Sequence, residues 1–192
     1  MKKSIGLKKF KTAVFISGTG SNLKNLIKFS KNKKSPIQIE CIVSDKINSK
    51  GLKYAKKFRI KKKVCSFIRK KTAEKIILDF LKKNKVKLIC LAGFMKILST
   101  NFIKKFDGKI LNIHPSLLPK YKGLNTYKKV IKNRDKYTGC TVHFVTAKLD
   151  SGKIIMQKKV KVNKKDSIIT LKIKVQKKEY QLYPAAIRKV LT

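Results

Sequence analysis

The chain alternates short apolar runs with segments whose apolar residues recur every three or four positions. Thr12 to Ser17, Ile37 to Val43, Val64 to Phe67 and Leu88 to Gly93 read as strands. The last is continuously apolar, as a strand covered on both faces must be. Between them lie helical stretches: Asn22 to about Lys31, Gly51 to Phe58, and a third whose Ala73, Ile76, Ile77, Phe80 and Leu81 keep the rhythm of one buried face. Thr72 is the N-cap candidate for that helix and Asn84 can close it. Ser99 should cap a further short helix. Ile110 to Ile113 alternates too little for a half-exposed strand, so it is predicted to be buried on both sides. Strands and helices in this order imply a parallel α/β sheet with right-handed crossovers. After Pro119 the texture changes to a short helix, Thr126 to Asn133, and two longer strands, Thr138 to Thr146 and Lys153 to Val162. Asp150-Ser151-Gly152 lies in the loop between those strands. A final helix starts near Ser167, and Pro184 should kink or restart it.

Composition changes this picture little. There is no internal repeat and no linker, so 1–192 reads as one domain, with 1–10 as a basic N-terminal extension. A hydrophobic content of 42% is that of an ordinary globular core and argues against disorder. Charge is the exception: 51 basic residues face 9 acidic ones, a net +42. Such a balance invites a nucleic-acid reading. The lysines, however, are spread over every predicted element, and arginine, the side chain that reads phosphate and guanine bidentately, occurs only four times. A solvated lysine coat with non-specific polyanion binding as a side effect is the better account. Cys41, Cys65, Cys90 and Cys140 are far apart with no C-x-x-C, which fits reduced core thiols and no metal site. Ala13 to Ile16 is too short for a signal peptide, and no run approaches the roughly 18 apolar residues of a membrane span. A soluble cytoplasmic protein is expected.

Four constellations can carry chemistry. Asn112 and His114 are two apart on the central strand and project to the same side, and Pro115 leaves His114 at its C-terminal tip. Open α/β sheets bind ligands at that end. Ser17-Gly18-Thr19-Gly20-Ser21-Asn22-Leu23 turns the first strand into a helix, with backbone N–H groups and a helix dipole that favour an anion. The third glycine of a dinucleotide fingerprint is replaced by Leu23, so a phosphate monoester fits better than a pyrophosphate with Asp45 on a ribose. A glycine turn chosen for geometry alone is the alternative. Asp150 is a rare acid in a loop, where a turn-capping role is usual. His143, between apolar neighbours on a strand, defaults to packing. Leu91 to Leu98 offers an apolar strand tip and a glycine turn that can wall a pocket for a flat ligand or simply fill the core.

Taken together, I-S-G-x-G-S-N-L, L-A-G-F-M-x-I-L, L-N-I-H-P-S-L-L-P, V-H-F-V and L-D-x-G, in this order, resemble the phosphoribosylglycinamide formyltransferases from about Thr12 to Ile187. The resemblance implies a Rossmann-like open, mostly parallel sheet with helices on both faces and an antiparallel C-terminal extension. It also implies formyl transfer from 10-formyltetrahydrofolate to glycinamide ribonucleotide in purine synthesis, without a metal. By that resemblance Asn112, His114 and Asp150 are the catalytic trio. Gly20, Ser21 and Asn22 hold the ribonucleotide phosphate, and Glu179 lies near the glycinamide end. Lys70, Met95, Lys96, Ile97, Leu98, Lys148 and Leu149, together with Asn112, border the folate. Lys70 and Lys96 stand where the family often has arginine, and Lys122 and Lys153 where it often has proline.

These residue types suit the reaction. An amine attacks the formyl carbon, Asn112 and protonated His114 can serve the growing oxyanion, and an Asp150 carboxylate nearby should raise the protonated fraction of His114. Two relatives with other acceptors compete. A methionyl-tRNA formyltransferase would use the basic surface but calls for a second domain and lacks G-S-N-L in the first loop. A formyltetrahydrofolate hydrolase would add an N-terminal regulatory domain. A non-enzymatic RNA-binding module has the charge but neither an aromatic RNP-like strand nor a K-homology loop. The oligomeric expectation is a monomer or homodimer.

Overall fold

The computed structural model describes residues 9–191. Its elements run β1 (Phe10–Ile16), α1 (Ser21–Ser30), β2 (Ile37–Ser44), a 3-10 turn (Lys50–Leu52), α2 (Lys53–Lys57), β3 (Lys61–Val64), α3 (Lys70–Lys83), β4 (Leu88–Leu91), α4 (Thr100–Lys105), β5 (Lys109–His114), α5 (Thr126–Lys132), β6 (Tyr137–Phe144), β7 (Ile154–Lys161) and α6 (Ile168–Leu191). The strands form one seven-stranded sheet in the order β3-β2-β1-β4-β5-β6-β7. Pairing is parallel from β3 to β5 and antiparallel from β5 through β6 to β7. The order reverses between β1 and β4, and the crevice beyond the carboxyl ends of such neighbouring strands is where α/β sheets take ligands.

Alternation along β1 builds two cores. Val14 and Ile16 face Leu23, Leu26 and Ile27 of α1 and Leu182, Tyr183 and Ala186 of α6. Ala13 and Phe15 face Ala73, Ile77 and Leu81 of α3 and Phe102 of α4. Helices therefore cover both faces, and the central strands are apolar on both sides, as read from the sequence. Tyr183 is fully buried, and its hydroxyl lies 3.1 Å from both the Leu91 and the Leu111 carbonyls. That contact ties α6 to the end of β4 and the middle of β5, one residue before Asn112.

Several boundaries differ from the sequence reading. The third strand is Lys61–Val64, not Val64 to Phe67. It forms the sheet edge, where lysine side chains reach water and discourage pairing with another chain, so an apolar signal is absent. Helix α3 begins at Lys70 with Arg69 at its N-cap and no side-chain cap, so Thr72 is inside the helix rather than capping it. Its inward face is Ala73, Glu74, Ile77 and Leu81, while Ile76 is 39% exposed. Asn84 closes it as expected, its Nδ2 donating to the Phe80 carbonyl at 2.8 Å. Ser99 caps α4 by accepting from the Phe102 N–H at 3.0 Å. Helix α6 runs continuously through Pro184, without a restart. Of the basic extension, residues 1–8 lie outside the described residues. Phe10 already belongs to β1, and the Lys9 ammonium donates to the Ser30 and Asn32 carbonyls. All four cysteines are buried and free, and burial pushes the Cys41, Cys90 and Cys140 thiols up to about 12.

Candidate active site

The strand β5 carries Asn112 and His114 to the carboxyl edge of the sheet, two residues apart and on the same side. The loop after β6 brings Asp150 onto them. Its Oδ1 accepts from the Asn112 amide at 3.3 Å, and its Oδ2 lies 3.4 Å from His114 Nδ1. Oδ2 also accepts from the Gly123 N–H at 2.9 Å. Asp150 thus does cap a turn, but a turn in a different loop, and it joins that loop to the two polar side chains of β5. Lys122 strengthens the junction by donating to the Ser151 hydroxyl at 2.6 Å.

His143 belongs to the same cluster, against its default reading as a packing residue. It pairs with Asn112 in the β5–β6 ladder. Its Nε2 is 3.2 Å from the Asn112 amide nitrogen and 3.5 Å from Asp150 Oδ1. Its Nδ1 faces the Phe144 carbonyl at 2.8 Å, and a carbonyl only accepts, so the ring proton is assigned to Nδ1 and Nε2 is the acceptor for Asn112. The available sequence signal was weak: a histidine flanked by valine and phenylalanine on a strand usually packs. The same logic places a proton on His114 Nε2, which donates to the Tyr121 carbonyl at 2.8 Å.

Charge in the cluster is set by burial and by these contacts. His114 is 5% exposed, and that burial holds its pKa below the ordinary 6.5 even though the Tyr121 carbonyl and Asp150 both pull it up. Asp150 does raise the protonated fraction as expected, but desolvation of the imidazolium outweighs the carboxylate and the net shift is downward. Burial acts on Asp150 in the opposite sense and would raise its pKa. Its contact with His143, the hydrogen bond from the Gly123 N–H and the fields of both histidines overcome it and bring the carboxyl down from 3.8 to about 2.

The glycine-rich loop lies at the tip of β1. Gly20 occupies the left-handed region at φ +72°, at the N-cap of α1, and no side chain caps this helix. A Cβ on Gly20 would come within 2.7 Å of the Gly51 Cα, so glycine is required here by the neighbouring turn as well as by φ. The first N–H groups of α1 are left without helical partners. Leu23 is completely buried in the core beneath. Helix α6 clamps the loop from the other side: Gln176 donates to the Ser21 hydroxyl at 2.9 Å, and Asn22 Nδ2 donates to Glu179 at 2.8 Å. Glu179 is buried, which raises its pKa against the Asn22 hydrogen bond and Lys172. The buried Oδ1 of Asn22 has no partner.

The remaining candidates form two walls. Met95, Lys96 and Ile97 are exposed at the tip of β4, with Leu98 buried beneath them. Lys148 and Leu149 are exposed in the loop that carries Asp150, and a Cβ on Gly123 would lie 3.5 Å from the Leu149 side chain. Lys70 stands apart from the hydrogen-bonded cluster, exposed in the first turn of α3. Asp45 is buried with neither carboxylate oxygen paired. Among the described residues, no group of His, Cys, Asp and Glu is arranged to hold a metal ion.

Comparison with known proteins identifies relatives along nearly the whole chain. A model of the formyl transferase family matches residues 10–187. The chain is 44% identical over 183 residues to a phosphoribosylglycinamide formyltransferase of Haemophilus influenzae, covering 93% of this chain and 85% of that protein. It is 40% identical over 186 residues to the human trifunctional purine biosynthetic protein adenosine-3, covering 95% of this chain but only 18% of that much longer protein. The crystal structure of a phosphoribosylglycinamide formyltransferase from Brucella melitensis superposes with a TM-score of 0.91 at 40% identity, over 96% of this chain and 97% of that one.

Proposed function

This chain belongs to the formyl transferase family, and on that premise we propose how its side chains move a formyl group from a folate to the amine of phosphoribosylglycinamide. The transfer belongs to purine biosynthesis and draws on a folate-derived formyl donor. Our finer reading takes 10-formyltetrahydrofolate as that donor. It treats residues 1–192 as one formyltransferase domain working in the cytoplasm. The observation that carries the site assignment is that Asp150 lies within 3.4 Å of both Asn112 and His114 at the end of β5.

The amine of the acceptor attacks the formyl carbon, and its former carbonyl oxygen becomes an oxyanion. Asn112 holds both amide hydrogens toward His143 and Asp150 in the resting arrangement. One of them turns to the oxyanion as it forms, stabilising charge that exists only on the way to product. Asp150, ionised at neutral pH, accepts the proton that the attacking nitrogen must lose. His114 Nδ1, which carries no proton in the resting tautomer and lies 3.4 Å from Asp150 Oδ2, takes that proton over and passes it to the departing folate nitrogen, so the C–N bond to the folate breaks as the new C–N bond is kept. Overall one proton passes from the acceptor amine to the folate. Support for the acceptor subsite comes from the free N–H groups of Ser21 and Asn22 beside Gly20, which suit one phosphate, and from Glu179 on the facing helix. Met95, Lys96, Ile97, Leu98, Lys148 and Leu149 wall the folate, with Lys70 toward its outer end.

The test is substitution of the two β5 side chains. His114→Ala and Asn112→Ala are each expected to lower turnover by about 100-fold or more while the fold survives, because each removes a group aimed at transition-state charge. Wild-type turnover in either folded variant contradicts the assignment.

A further inference from the structure

We infer that Ser17 is a positioning residue that holds the Met95–Leu98 wall in register with the glycine-rich loop, an inference that rests on the folate reading of that wall. Ser17 is buried, 7% exposed, and is the last residue before Gly18. Two hydrogen bonds leave it for the neighbouring loop. Its N–H donates to the Gly93 carbonyl at 3.1 Å, a contact that any residue but proline supplies. Its hydroxyl oxygen accepts from the Met95 N–H at 2.8 Å, which only this side chain supplies.

That second bond matters because little else holds this end of the wall. The β1–β4 ladder is finished at Gly93, where φ is +77°, and Gly93 to Leu98 has no regular structure. Met95 and Ile97 are 60% and 56% exposed, so core packing does not fix them. Phe94 is anchored edge-on between Phe15 and Phe67, at 5.3 and 5.5 Å between ring centres. The far end is tied by Glu74, which accepts from both the N–H and the hydroxyl of Ser99. Between these anchors, Met95 is held by Ser17. One hydroxyl therefore spans from the loop that borders the acceptor phosphate to the loop that borders the folate. It sets the spacing between the two substrates, and a small misplacement of reacting groups is costly to rate and binding.

Ser17→Ala removes the acceptor without introducing bulk and leaves the backbone contact to Gly93 in place. Two measurements on the full chain test the inference. Amide hydrogen exchange at Met95 should quicken by about tenfold or more, with Val14 in the same strand unchanged, because a lost hydrogen bond frees that N–H alone. The KM for 10-formyltetrahydrofolate should rise by about three- to tenfold, while the KM for glycinamide ribonucleotide stays within about twofold, a split that general loosening of the fold would not give. Unchanged exchange at Met95, or a parallel rise of both KM values, overturns the inference and leaves the functional reading standing. Faster exchange at Met95 with an unmoved folate KM overturns the folate reading of the wall and this inference with it.

Discussion

Asp150 is the residue on which the site's electrostatics turn, since its two oxygens meet Asn112, His114, His143 and the Gly123 N–H. Asp150→Asn keeps the size and most hydrogen bonding but removes the charge that opposes desolvation of His114. The His114 midpoint, already below 6.5, should fall further, and turnover should drop strongly. NMR titration of the His114 ring checks this, and equal midpoints in both proteins would sink the coupling. The same shifts give a pH dependence of stability. The folded-state pKa of His114 is lowered, so the unfolded chain binds its proton more readily and stability declines as pH falls below 6.5. Asp150 is lowered from 3.8 to about 2, so its contribution is fully present above 3.8 and lost as pH falls through 2. Both act in one direction, and acid unfolding should begin earlier in wild type than in a His114→Phe variant over the higher part of that range. Asn112, His114 and Asp150 were readable from the sequence because a polar pair at spacing two on an apolar strand, and a rare acid in a loop, are conspicuous. His143 was not, because only the β5–β6 register reveals that its Nε2 meets Asn112.

Among the elements, the turn from β1 into α1 is the most tightly determined. Gly20→Val must put a β-branched residue at φ +72° and a Cβ within 2.7 Å of the Gly51 backbone. Bulk here obstructs the approach of a phosphate to the backbone. The structure adds a second effect, because the 45–52 segment packs directly on the loop through the Gly51 N–H and the Ser49 hydroxyl, both donating to the Gly18 carbonyl at 2.9 Å. The variant is therefore expected to raise the KM for the ribonucleotide by about tenfold or more and also to lose roughly 1–3 kcal/mol of stability, read from kinetics and from denaturant unfolding. A raised KM with undiminished stability would contradict the packing argument. Elements buried on both faces were legible because apolar runs mark them. The edge strand β3 was not, since at an edge lysine is a suitable strand residue and the pattern vanishes. The Asn22–Glu179 clamp joins residues 157 positions apart, and no local pattern encodes it.

For the whole molecule, the question is what a net charge of +42 does beside a site built for small substrates. Counterion release predicts that the protein binds tRNA non-specifically, with an affinity that falls steeply between about 50 and 200 mM salt. In the proposed mechanism formyl transfer to the ribonucleotide draws on one phosphate contact and on the Asn112–His114–Asp150 cluster, so it should weaken only modestly over the same range. Association with a polyanion and catalysis are thus separable by salt, and Gly20→Val should lower the second without touching the first. The described residues contain no helix long and apolar enough to cross a membrane. The most direct test of the account supplies purified protein with 10-formyltetrahydrofolate and measures formylation of glycinamide ribonucleotide and of methionyl-tRNA side by side at about 200 mM salt. The predicted result is efficient formylation of the ribonucleotide and none of the tRNA. Formylation of methionyl-tRNA with the ribonucleotide left untouched would contradict it.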